Sequence, residues 1–224
     1  MDFGCSEVKV WKEALSAYQS RIQTLSLTKN KPNLISLDEF YCNQLPSILR
    51  QRNPNPFLTT SELSSLMQWK LTRGKWRPRL LDFVSSLDDA VVKSASEKAF
   101  QSLPDVSEAV AELTVLKGVG PATASAVLAA FSPHLTPFMS DESALQAMEA
   151  ALGNSKDYSL KQYLKFVDKL QMKAKELSSE SDSFTPSDVE RALWSYAVGK
   201  SSSPQSNQDP KTKPIKSSKR KRKN

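Results

Sequence analysis

Histidine occurs once in the 224 residues, at His134, and cysteine only twice, at Cys5 and Cys42. A structural zinc site draws four ligands largely from those two types, and an iron–sulfur cluster takes four cysteines. The sequence therefore predicts no metal and no cofactor. The cysteines form no CxxC and suit a reducing compartment as plain thiols. Long apolar runs are missing as well. Nothing approaches the roughly 18 residues of a membrane-spanning helix, so no membrane partner is expected. The first residues, MDFGCSEVKVWKE, lack the basic-then-apolar pattern of a secretion signal, and none is expected. No stretch alternates apolar and polar residues convincingly enough to predict a strand. Glycine is scarce too: the chain has six, and two of them stand two apart, at Gly118 and Gly120.

The formal net charge of +7 is divided unevenly. Residues 200–224 hold nine Lys or Arg and one Asp; the remaining residues hold 22 basic and 23 acidic groups. The part able to fold is thus close to neutral, and a basic overall pI says little about its surface. Residues 199–224, rich in Ser, Pro and Lys and without apolar periodicity, are expected to form a disordered basic tail. The run Lys219, Arg220, Lys221, Arg222 and Lys223 has the composition that nuclear import receptors read. It predicts a nuclear protein with such a receptor as partner. A merely solubilising tail is the plainer alternative.

Before the tail, apolar residues recur in steps of three and four, and the expected class is all-α. Val8, Trp11, Leu15, Tyr18, Ile22 and Leu25 mark one helical stripe over 7–28. Leu160, Tyr163, Val167, Leu170, Ala174 and Leu177 mark another over 159–177. Two matched stripes near opposite ends of the chain are expected to pack together. Further helices are predicted over 36–51, 60–72, 77–87, 88–102, 105–116, 121–131, 141–152 and 186–198. Ser36 with Glu39 reads as a capping box, and Thr185 before Pro186 as a cap for the last helix. The expected plan is one all-α region over 1–198. Central helices occupy 36–152, and the ends, 7–28 and 157–198, form a second helical layer.

Cations and aromatic residues concentrate in WKLTRGKWRPR, residues 69–79. Lys70, Arg73, Lys75, Arg77 and Arg79 have no acid among them, a composition suited to phosphate contact, with Trp69 or Trp76 available to stack on a base. Burial of both tryptophans, with the cations solvated around Gly74, is the competing reading. Lys161, Lys165, Lys169 and Lys173 fall on one face of the 159–177 helix. Such a row is usually solvated, with contact to DNA as the alternative.

The glycine pair sits in LKGVGPATASAVLAAF, residues 116–131. A helix ending near Leu116 runs into Lys117, Gly118, Val119 and Gly120, and Pro121 opens the next helix, where a missing amide hydrogen costs nothing. One glycine ends the first helix in the left-handed conformation. Val119 points between the two helices, and Ala122, Ala124, Ser125, Ala126 and Ala129 allow short-range packing. The amides around Gly118, Gly120 and Ala122 sit at a helix N-terminus unobstructed by side chains, which is a phosphate site by geometry and partial charge.

This segment resembles the helix-hairpin-helix of the DNA glycosylase superfamily typified by endonuclease III, with the pattern L-P-G-V-G-x-x-T-A followed by apolar residues. Leu116, Gly118, Val119, Gly120, Thr123 and Ala124 match it. The resemblance covers residues 113–142. It implies DNA as partner, contacts from Lys117 to Thr123, and an essential aspartate about twenty residues on. Asp141, 21 residues after Gly120, stands in that place and would orient water and stabilise positive charge on the deoxyribose. Bifunctional members carry a lysine two residues after the second glycine. Ala122 stands there instead, so the implied enzyme is monofunctional. Asp141 also has a structural reading, as a first-turn acid behind a Ser140 cap. Two functions follow: a nuclear base-excision glycosylase, or a noncatalytic DNA- or chromatin-associated helical adaptor. A scaffold that binds no DNA is a third.

Overall fold

The computed structural model describes residues 2–140, 158–180 and 182–202, with residues 201 and 202 described by backbone only. Among these no strand occurs, and the fold is all-α. The helices are α1 (Val8–Ser16), α2 (Tyr18–Thr28), α3 (Leu34–Glu39), α4 (Leu45–Gln51), α5 (Thr60–Arg73), α6 (Pro78–Ser85), α7 (Asp89–Ser102), α8 (Val106–Thr114), α9 (Pro121–Phe131), α10 (Leu160–Leu177) and α11 (Pro186–Ser202). The expected helix 141–152 lies outside the described residues.

At the centre is α9, packed by α4, α5, α8 and α10. Every residue from Thr123 to Ala130 is buried. An ordinary amphipathic helix cannot do this. The run of alanines makes it possible, because small side chains let four neighbours approach at once. The Tyr41 hydroxyl reaches across to donate to the Ala126 carbonyl at 3.0 Å.

The two end stripes are joined less directly than their periodicity predicts. α11 is the main bridge: α1, α2 and α10 all pack on it. The first stripe is also broken at Ala17, between α1 and α2. The break splits its work. Trp11 enters the main core, whereas Tyr18 and Ile22 join Leu34 and Trp194 in a smaller cluster.

Two local expectations fail for identifiable reasons. The helix expected from Ser36 begins at Leu34, and Ser36 Oγ donates back to the Asn33 carbonyl at 3.0 Å rather than capping. A π-helical turn at Phe40–Gln44 then separates α3 from α4. A capping box forms instead at α5. There the Thr59 side chain accepts from the Glu62 amide and Glu62 accepts from the Thr59 amide. The last helix is capped as expected. Thr185 Oγ1 accepts from the Asp188 amide, and Asp188 accepts in return from the Thr185 amide. It continues to Ser202, four residues past its expected end and into the segment read as tail.

Candidate functional site

Leu116 to Val119 form a turn closed by the Val119 amide donating to the Leu116 carbonyl at 3.0 Å. Gly118 has φ +89° at its third position, the signature of a type II turn. A side chain there meets a second obstacle. A Cβ on Gly118 would lie 2.9 Å from the Phe83 Cβ and 3.5 Å from the Leu80 carbonyl. Gly118 therefore serves the packing of the turn on α6. Val119, at 5% exposure, belongs to the main hydrophobic core. Lys117 stays exposed with its ammonium 4.6 Å from the Phe83 ring centre.

Gly120 differs from its neighbour in every respect. It is extended (φ −101°, ψ 180°), exposed, and has nothing within 4 Å of where a Cβ would stand. It precedes α9 without any side-chain cap, and the first turn of α9 contains no acid. The amides of Gly120 and Ala122 donate to no acceptor among the described residues. Among the described residues the positive end of this helix is left bare.

It opens into a cleft of about 230 Å³. Its lining includes Gly118, Gly120, Ala122 and Thr123 from the turn and the start of α9, Lys70, Arg73, Lys75 and Arg77 from the basic stretch, and Phe138, Met139, Ser140 and Tyr158. No aspartate or glutamate lines it among the described residues. Two segments about fifty residues apart in sequence, the basic stretch and the glycine turn, thus converge on one cavity. Arg79 is exposed but does not line the cleft, nor do Lys117 and Val119.

Arg73 departs from the expectation of a phosphate-facing cation. It is 3% exposed, with Nη2 3.3 Å from Glu190 Oε1. The rings of Trp194, Trp69, Phe138 and Tyr18 surround its guanidinium at 4.3 to 5.6 Å. Glu190 also accepts from Ser140 Oγ at 2.7 Å. Arg73 and Ser140 line the cleft, and this Arg73–Glu190–Ser140 chain ties α5, α11 and the segment after α9 together. Its carboxylate was invisible in the sequence, because nothing in the spacing of Glu190 links it to residues 50 and 117 positions away. The buried Asp38 was missed likewise; it accepts from Tyr18 Oη at 2.7 Å and Trp69 Nε1 at 2.9 Å.

The two tryptophans of the basic stretch separate. Trp69 is core, stacked on Tyr41 with ring centres 3.4 Å apart. Trp76 is 53% exposed. In the lysine row of α10, Lys173 is buried and pairs with Glu176 at 2.7 Å, so the row is not one solvated face. Burial pushes the Cys42 thiol up to about 12, which keeps it protonated and inert near neutral pH. Asp141 and the run 219–223 lie outside the described residues. No group of His, Cys, Asp or Glu able to hold a metal occurs among the described ones.

Compared with known proteins, the chain matches no family model, no curated protein and no solved structure.

Proposed function

We propose that this chain binds DNA through the glycine turn and the basic cleft, as a nuclear protein akin to monofunctional helix-hairpin-helix DNA glycosylases. The observation that carries the reading is the N-terminus of α9, without a side-chain cap, opening into a cleft lined by Lys70, Arg73, Lys75 and Arg77 and, among the described residues, by no acid. A backbone phosphate fits both features. Amides at a helix start donate to its oxygens, and Lys70, Lys75 and Arg77 supply the countercharge.

The chemistry rests on the resemblance. Asp141 directly follows Ser140, whose hydroxyl is held by Glu190. In the proposed mechanism the Asp141 carboxylate orients a water and stabilises the positive charge that grows on the deoxyribose as the base departs. Ala122 lines the cleft where a bifunctional enzyme would carry its amine. With no imine formed, the strand stays intact.

The test is incubation with duplexes carrying damaged or mispaired bases. The expected product is an intact strand with an abasic site that breaks only after alkali, and borohydride traps no adduct. Asp141→Asn abolishes base release and keeps binding. Trapping by borohydride would remove the monofunctional assignment. Binding without release from any duplex in a broad panel would leave the noncatalytic adaptor. For the address, a large fluorescent fusion lacking 203–224 is expected to lose its nuclear enrichment. Retained enrichment would dismiss the import role of the basic run.

A further inference from the structure

Where α11 packs against α1 and α2, a cavity of about 330 Å³ remains beside the break at Ala17. It shares no lining residue with the cleft at the glycine turn. Ala14 and Ala17 line it from the α1–α2 region and Gly199 from α11, small residues that leave the space open. Two donors in the lining have no acceptor. Arg21 Nε and Ser195 Oγ are buried atoms without a hydrogen-bond partner among the described residues, and Ser195 is 1% exposed. A buried donor left unmade costs about 1–3 kcal/mol. The helix backbone is shaped to hold the arginine there. Gly199 lies inside α11, where glycine costs about 1 kcal/mol against alanine. A Cβ at that position would stand 2.8 Å from Arg21 Cζ and Nη2, so the guanidinium rests where any other residue would place its side chain. Lys200 adds a second cation, its ammonium 4.8 Å from the Tyr196 ring centre. Glu13 is the one acid in the lining; it is exposed and forms an ion pair with neither cation among the described residues.

We infer that this cavity binds the phosphoryl group of a small phosphate monoester. The site goes beyond the DNA-binding reading and does not depend on it. A carboxylate offers two oxygens in one plane, which a guanidinium satisfies alone by a bidentate pair of hydrogen bonds. A terminal phosphoryl group offers three oxygens pointing in different directions and a second negative charge. The lining supplies the matching set: the planar fork of Arg21, the hydroxyl donor of Ser195 and the point charge of Lys200. A phosphate within a DNA strand has two free oxygens, one charge and a sugar on each side, which suits an open groove. This space lies at the lower end of small-molecule sites, about 300–1,000 Å³, and Val10 and Tyr196 give it apolar surface for the body of a small ligand.

The experiment titrates the full-length chain with phenyl phosphate by calorimetry at one fixed salt concentration. Saturable binding of one phenyl phosphate per chain is expected, with benzoate about tenfold weaker. Ser195→Ala keeps every charge and removes only the hydroxyl. It should weaken phenyl phosphate about tenfold, the worth of a hydrogen bond to a charged group. Gly199→Ala gains helix propensity and displaces the guanidinium, so it should weaken binding without lowering the melting temperature. Arg21→Met should abolish it. Should that variant fail to fold, the two alanine variants still decide. Affinity for duplex DNA should be unchanged in Ser195→Ala and Gly199→Ala. Diffuse attraction to the basic residues of 203–224 predicts binding that none of the three substitutions alters, and that result overturns the inference. Equal binding of benzoate, or no saturable binding at all, overturns it too. Loss of DNA affinity in Ser195→Ala would give these donors to a DNA phosphate, which overturns the small ligand and leaves the DNA-binding reading in place.

Discussion

Arg73 and Arg77 lie four residues apart in one run of cations, yet the fold treats them oppositely. Arg73 ends α5 on its inward face, one turn after Trp69 and two after Leu66, and is enclosed with Glu190. After Gly74 the helix is over, its last carbonyls held by the Lys31 ammonium at Thr72 (2.5 Å). From Lys75 on, helical periodicity no longer decides which way a side chain points, and the cations reach solvent. A run of like charge in a sequence is therefore not one surface. The helix that carries part of it selects by angle which members go inward.

The comparison breaks most visibly in stability. Removing the Glu190 carboxylate takes the ion-pair partner from a buried guanidinium, at a cost of about 3–5 kcal/mol. Glu190→Ala should lower the urea midpoint accordingly. Replacing both partners by Arg73→Met with Glu190→Leu should recover part of the loss, since neither charge then needs burial. A Glu190→Ala protein as stable as the original would mean that Arg73 is solvated and belongs with Arg77.

The glycine turn contains a second contrast of the same kind, at smaller size. Gly118→Ala forces a left-handed residue with a Cβ, about 1–2 kcal/mol from conformation alone, and drives that Cβ against Phe83. Gly120→Ala meets open space at an ordinary φ and should cost about 1 kcal/mol or less. The two variants separate folding from binding. Gly120→Ala is expected to weaken DNA affinity in a fully folded protein by crowding the bare amides. Equal melting shifts for both would contradict the distinct roles of the two glycines.

Much of the fold was legible in advance. The all-α class, most helix positions and the burial of Val119 follow from periodicity and from the proline and glycine that punctuate it. The Ser36 cap was misread because a polar residue three before an acid also occurs inside helices, and Asn33 accepted the Ser36 hydroxyl instead. Arg73 was misread because its charge was weighed and its phase was not. Leu66, Trp69 and Arg73 fall in steps of three and four, and that rhythm already placed the arginine on the buried face. The Arg73–Glu190–Ser140 chain was beyond reach. Contacts between residues so far apart arise from the packing of α5 and α11, which no local pattern encodes.

The smallest effect on stability is expected at Lys75 and Arg77, and it carries the most information about function. Both side chains are exposed, so each alanine variant should stay within about 0.5 kcal/mol of the parent in urea. Their effect belongs in the salt dependence of DNA binding. A cation that neutralises one phosphate releases about one condensed counterion, and each loss should flatten the slope of log affinity against log salt by about 0.9. Arg79, exposed but away from the cleft lining, provides the control within the same stretch. Arg79→Ala should leave the slope nearly unchanged. If all three substitutions flatten it equally, the cleft does not organise the contact, and the stretch acts as a diffuse positive surface. If none does, the phosphate does not lie at the α5–α6 connection, and the bare start of α9 alone would have to hold it.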